Sequence, residues 1–193
     1  MSEEIKKNNF LIKFLSLIKN NLKKIISFLI LLIILLFIYL IYANVQKKNE
    51  IKISEQYTEA SIQFKQKKIN SSKLLFENII NKDHRFYSPL ALYFIIDNNL
   101  ENEREKIIKF FDKILKINSI DKENINLIKI KKAIFLFSVE DEELLIKTLN
   151  PIINSDSIWR NMAIELISNY FLSKNQKTKA EEYIQLLNNK TNK

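Results

Sequence analysis

KIIKFFDKIL, residues 106 to 115, decides the fold class. Its apolar residues Ile107, Ile108, Phe110, Phe111, Ile114 and Leu115 recur three and four apart, which is the period of one helix face. The same spacing returns in block after block from residue 44 onward, and strict alternation is rare, so the sequence predicts an all-α domain. Breakers and cap-forming residues mark its joints: Asn70-Ser71, Ser88-Pro89, Asn102, Ser119 to Asp121, Asp141, Asn154 to Asp156 and Asn175 to Thr178. They divide the chain into helices over 45–68, 71–82, 88–100, 103–117, 121–138, 141–153, 156–173 and 177–189. Ser88 reads as a helix cap with Pro89 in the first turn, where its missing N–H costs nothing. Connections this short make successive helices antiparallel, giving four helical hairpins in series.

The second helices carry a longer period. Phe76, Phe111, Leu149 and Ile184 occupy similar places in them, at spacings of 35, 38 and 35, near the tetratricopeptide repeat of about 34 residues. One hairpin cannot bury its apolar face, whereas several stacked hairpins share a continuous core. Counted from those anchors, the close-approach positions of the first helices fall at Ala60, Ala133 and Ser168, with Ile95 in the second repeat. Residues 44–193 are therefore expected to form a tetratricopeptide-like solenoid of about four hairpins.

Upstream lies Ile25–Ala43, IISFLILLIILLFIYLIYA, without a charge. As a helix it is about 28 Å long, close to the roughly 30 Å hydrocarbon core of a bilayer. A cleaved signal peptide is the competing reading. Its apolar region is usually shorter and ends at a small-x-small site, and Ala43 has no small partner two residues before it. An uncleaved single span is expected, with Tyr39 and Tyr42 at the downstream interface. Six lysines precede it (Lys6, Lys7, Lys13, Lys19, Lys23 and Lys24) and three follow closely (Lys47, Lys48 and Lys52). The positive-inside rule then places a basic tail, residues 1–24, in the cytoplasm, and residues 44–193 across the membrane. For a Gram-negative bacterium that means an inner-membrane anchor and a periplasmic domain. The tail's Phe10, Leu11, Phe14 and Leu15 alternate with lysines and suit the surface of an anionic leaflet, or a plain basic tail.

Composition narrows the chemistry. The 193 residues contain no glycine, so no phosphate-cradling GxGxxG or Walker loop exists. Without cysteine there is no disulfide, thiol nucleophile, thiolate zinc site or lipoprotein anchor. The single His84 excludes HExxH and leaves a catalytic triad without spare parts. No cofactor, metal or catalytic residue is expected. The net charge of +9 divides into +4 over residues 1–24 and +5 over the rest, where both signs are interspersed and three arginines form no cluster. That is a solvated surface and not a nucleic-acid footprint.

The basic N-terminus, the span, QYTEASIQFKQKKINSSKLLFENII after it, and the late SIWRNMAIELISNYFLSKNQKTKAEEYIQLL together resemble the YfgM-like family. The resemblance covers most of the chain through loose structural motifs: Trp159-Arg160, Ala163, Glu165-Leu166 and Ala180. It implies a tetratricopeptide-like periplasmic domain and a non-enzymatic role beside the SecYEG translocon and periplasmic chaperones, receiving or handing on secreted chains. Glycine usually closes the turns of such hairpins; here Lys67, Lys68 and Asn175 stand in its place.

For a membrane-tethered binding module, first helices lining a concave groove would offer Tyr57, Phe64, Leu92 and Phe137 to a partner segment. Tyr57 and Phe64, seven apart on one helix face, equally suit burial against the next hairpin. The alternative class is a cell-envelope scaffold or cell-division coordinator that assembles through its outer face and span. Trp159 reads as a core aromatic at a helix start, His84-Arg85 as a solvated joint, and Glu140 to Glu143 as acids favouring a helix dipole.

Overall fold

The computed structural model describes residues 21 to 188. All its regular elements are α-helices: α1 (Leu22–Lys65), α2 (Ile69–Ile80), α3 (Tyr87–Asp97), α4 (Arg104–Ile114), α5 (Lys122–Ser138), α6 (Glu142–Ile153), α7 (Arg160–Ser173) and α8 (Lys177–Asn188). The chain divides into two units, Met1–Lys52 and Ile53–Lys193. The basic tail lies almost entirely outside the described residues.

The first unit holds most of α1. The apolar stretch is helical as expected, but no break follows Ala43: one helix of 44 residues continues to Lys65. Nothing after Ala43 would stop it, since residues 44–65 include neither Pro nor Gly. Its most apolar stretch has a mean hydropathy of 3.1 and none of it is buried in the protein. The helix is long and apolar enough to cross a membrane, and only its far end, from Ile53 on, enters a core.

The second unit begins at Ile53, nine residues later than the periodicity suggested. Its helices pack on their sequence neighbours from α2 to α8, with α5 also touching α7. The end of α1 joins in through Ser72 of α2, whose hydroxyl donates to the Ala60 carbonyl at 2.8 Å, and both residues are fully buried. Two hydrophobic clusters fill the unit. One runs from Ile53 to Ile128, the other from Ile130 to Ala180, and the division passes through α5.

Four turns within the hairpins share one geometry despite the missing glycine. Lys67, Asn99, Glu140 and Asn175 all take left-handed φ values of 50 to 63°. After each, the next N–H reaches back five residues: Lys68 to Gln63, Leu100 to Ile95, Asp141 to Leu136 and Gln176 to Phe171. This is the Schellman closure, normally built on glycine because a Cβ disfavours that conformation. Asparagine tolerates it best, and lysine and glutamate adopt it here at some cost.

These turns give the four hairpins a common reference point. Seven residues before each left-handed residue stand Ala60, Leu92, Ala133 and Ser168, all buried to 2% exposure or less. Leu92, and not Ile95, is thus the second hairpin's close-approach position. The offset arises because three extra residues separate the turn from α4 compared with the other hairpins. Of the second-helix anchors, Phe76, Phe111 and Leu149 are fully buried, whereas Ile184 is 39% exposed. Among the described residues no helix follows α8 to cover it; Ala180 is that helix's buried residue.

Local polar chemistry fixes the joints. Asp121 and Asp141 cap α5 and α6 by accepting from the amides of Asn124 and Leu144. Ser88 does not cap α3. The side chain there is His84, whose Nδ1 accepts from the amides of Phe86 and Tyr87, while the buried Ser88 hydroxyl donates to Ile79 at 2.9 Å. Arg160 ties α7 to both neighbours through the carbonyls of Ile153 and Leu186. Trp159, at the start of α7, packs on the second cluster, with Ile158 and Met162 exposed beside it.

Candidate protein-binding groove

The first helices of the four hairpins are the end of α1, then α3, α5 and α7. How they meet depends on two positions counted back from the left-handed turn residue. Three residues before it come Phe64, Ile96, Phe137 and Leu172; five before it come Ile62, Phe94, Phe135 and Tyr170. Between α1 and α3, the Phe64 ring meets Phe94 edge-on with centroids 5.2 Å apart. Between α5 and α7, Phe137 meets Tyr170 in the same way at 5.3 Å. Both seams are closed by one aromatic pair repeated in register.

The middle seam lacks that pair. Its equivalents are Ile96 and Phe135, and α3 and α5 approach far less closely than α5 and α7 do. A cavity of about 170 Å³ opens between them, lined by Ile96, Asp97, Phe111, Lys131, Ile134 and Phe135 among others. A second, of about 180 Å³, lies toward the helix starts between Phe86, Pro89 and Leu90 on α3's side and Asn124, Leu127 and Ile128 on α5's side. Tyr93 lines both. The result is a groove between two parallel helices, with a pocket toward each end and Tyr93 between them.

Its surface is apolar with a sparse polar rim. Phe86 is 59% and Ile134 49% exposed, high values for large apolar side chains in a packed domain. Lys131 extends over the Tyr93 ring, its ammonium 5.6 Å from the centroid. Burial pushes the Tyr93 hydroxyl up to about 12, so it stays a neutral hydrogen-bonding group. At the neighbouring α4–α5 junction the buried Lys132 of α5 pairs with Asp112 of α4 at 2.7 Å, and Arg104 of α4 pairs with Asp141.

The residues nominated from sequence occupy other places. Leu92 is fully buried in the first cluster and reaches no surface. Tyr57 and Phe64 are half-buried against the same cluster, where Tyr57 meets Phe76 at 5.3 Å and Phe94 at 6.4 Å. Burial, with Asp97 and Tyr87 nearby, raises the Tyr57 hydroxyl above its usual range. Phe137 belongs to the closed α5–α7 seam. Three of the four therefore sit in or beside closed seams, and none lines the open one. The signal that would have found Tyr93 and Ile96 is in α3 itself: YSPLALYFIID is apolar almost all round, more than one buried face requires.

Compared with known protein families, characterised proteins and solved structures, the chain matches none.

Chemically, the groove offers burial and little else. No pair of carboxylates and no nucleophile–base pair lies in it, and no cluster of metal-ligating side chains occurs among the described residues. Each cavity is smaller than the roughly 300 Å³ at which sites for drug-sized molecules begin. Each suits one large side chain, whose burial contributes about 1.5–3 kcal/mol.

Proposed function

We propose that this chain is a membrane-anchored protein-interaction module whose helical domain is a tetratricopeptide-like stack of four hairpins. The observation that carries the reading is the open seam between α3 and α5, an apolar groove sized for side chains in a domain whose other first-helix seams are closed. The four matching turns and the neighbour-to-neighbour packing support the repeat. The lysine bias supports an anchor with its N-terminus in the cytoplasm of a Gram-negative bacterium and its domain in the periplasm. There the resemblance to the YfgM-like family points to an accessory role beside the SecYEG translocon or periplasmic chaperones, acting on secreted chains without catalysis. Membrane lipid surrounds residues 25–43, and nucleic acid is no partner.

The test is site-specific photocrosslinking from positions 86 and 134 of the full chain in its native membrane. Adducts with translocon subunits, chaperones or chains in transit, lost when Ile96→Phe fills the groove, are the expected result. Adducts with envelope-assembly proteins that persist in Ile96→Phe would favour the scaffold or cell-division reading. Protease added outside the inner membrane should digest residues beyond about 50, and their protection would reverse the topology.

A further inference from the structure

The two pockets of the groove are related by a fixed step. Pro89 in the first corresponds to Ile96 in the second, Asn124 to Lys131, and Leu127 to Ile134, each pair seven residues apart on its helix. Seven helical residues rise about 10 Å, so the pockets are about that far apart along the groove. In an extended peptide, side chains on one face recur every second residue, at about 6.6 or 13 Å, and neither spacing fills both pockets. In a helix, residues i and i+7 lie on one face about 10 Å apart, which does.

Charge adds a second requirement. Among the described residues, neither Lys131 nor Arg85 forms an ion pair, and with Asp97 they give the groove two cations against one carboxylate. Lys131 stands over Tyr93, the residue common to both pockets, and so faces the middle of whatever lies across them. From the pocket spacing and this cation, we infer that the groove's occupant is an amphipathic α-helix of another protein, with large apolar side chains at i and i+7 and a carboxylate between them at i+3 or i+4. This deepens the protein-binding reading and rests on it.

The test uses the full chain in lipid nanodiscs and fluorescence anisotropy of a labelled, alanine-rich peptide of about five helical turns. The peptide carries Phe at i and i+7 and Glu at i+4. Saturable binding is expected, absent from empty nanodiscs. Affinity should fall at least about tenfold when the second Phe moves to i+5, off the shared face, or when a central Pro breaks the helix. Lys131→Glu should weaken the Glu peptide by a similar factor and strengthen its Lys counterpart, a reversal that damage to the fold cannot produce. Ile134→Glu, at an exposed position, should abolish binding with circular dichroism unchanged. Equal or tighter binding of the Pro-broken peptide, blocked by Ile96→Phe, would overturn the helical occupant while leaving a peptide-binding groove. Absence of binding by either peptide, with crosslinks from positions 86 and 134 indifferent to Ile96→Phe, would overturn both.

Discussion

The seam between α1 and α3 and the seam between α3 and α5 differ at one registered position. In the first, an aromatic three residues before the turn, Phe64, meets an aromatic of the next hairpin, Phe94. In the second, Ile96 stands in that place opposite Phe135, and a cavity takes up the missing ring. The α5–α7 seam returns to the aromatic pattern with Phe137 and Tyr170. A series of packed hairpins can therefore keep its helix order and still open or close a groove by one side chain per seam. Closure is a packing property and does not follow from helix order.

The largest effect should come from breaking a closed seam. Phe94 stacks on Phe76 at 4.3 Å and receives Phe64 and Tyr57 edge-on, so Phe94→Ala should cost about 3–4 kcal/mol, read by urea denaturation. A cost under about 1 kcal/mol would mean the aromatic pairs do not hold the seam. Next comes the α4–α5 joint. Asp112→Ala leaves the buried Lys132 ammonium without its partner, and about 1–2 kcal/mol of destabilisation is expected because Asp112 is half exposed. Lys132→Met with Asp112→Ala should recover much of that loss. If the double variant is no better than the single, the pair is not what ties the joint.

A smaller, pH-dependent effect belongs to Glu101, in the turn that carries the three extra residues. Its carboxylate is buried, which opposes its charge, but Lys106, the Glu103 amide and Lys73 bind it and hold its pKa down at about 2. Because the folded value lies below the unfolded one, near 4.3, this contribution is complete above about pH 5. It is lost as pH falls toward 2. The melting temperature of Glu101→Gln should therefore differ most from that of the unaltered chain near neutrality and converge with it only as pH approaches 2. A constant difference would assign Glu101 a purely steric role. The smallest change in stability, within about 1 kcal/mol, is expected for Ile96→Phe, which fills an existing cavity. Its binding effect should be large, and that separation sharpens the comparison most.

Much of the fold was legible because helical period and cap residues are local. The helix joints at Asp121 and Asp141 lie where those residues cap, and the apolar stretch over residues 25–43 stands out by length alone. What failed to show was relational. Ser88 resembles a cap but turns inward to Ile79, because His84 already serves the helix start. Tyr57 and Phe64 fit a groove and a core equally well by spacing, and only their neighbours Phe76 and Phe94 decide. The groove itself arises from a mismatch between α3 and α5, which no single helix displays.

Packing of each helix mainly on its sequence neighbours bears on the time course of folding. Contacts close in sequence need little loop closure before they form, so the domain should fold quickly, and any hairpin can serve as the nucleus. A chain in synthesis is completed from its N-terminal end. Here the first hairpin already holds a contact of its own, Tyr57 against Phe76, while Phe64 waits for Phe94 of the next hairpin, so structure can build from the N-terminal end before α8 has emerged.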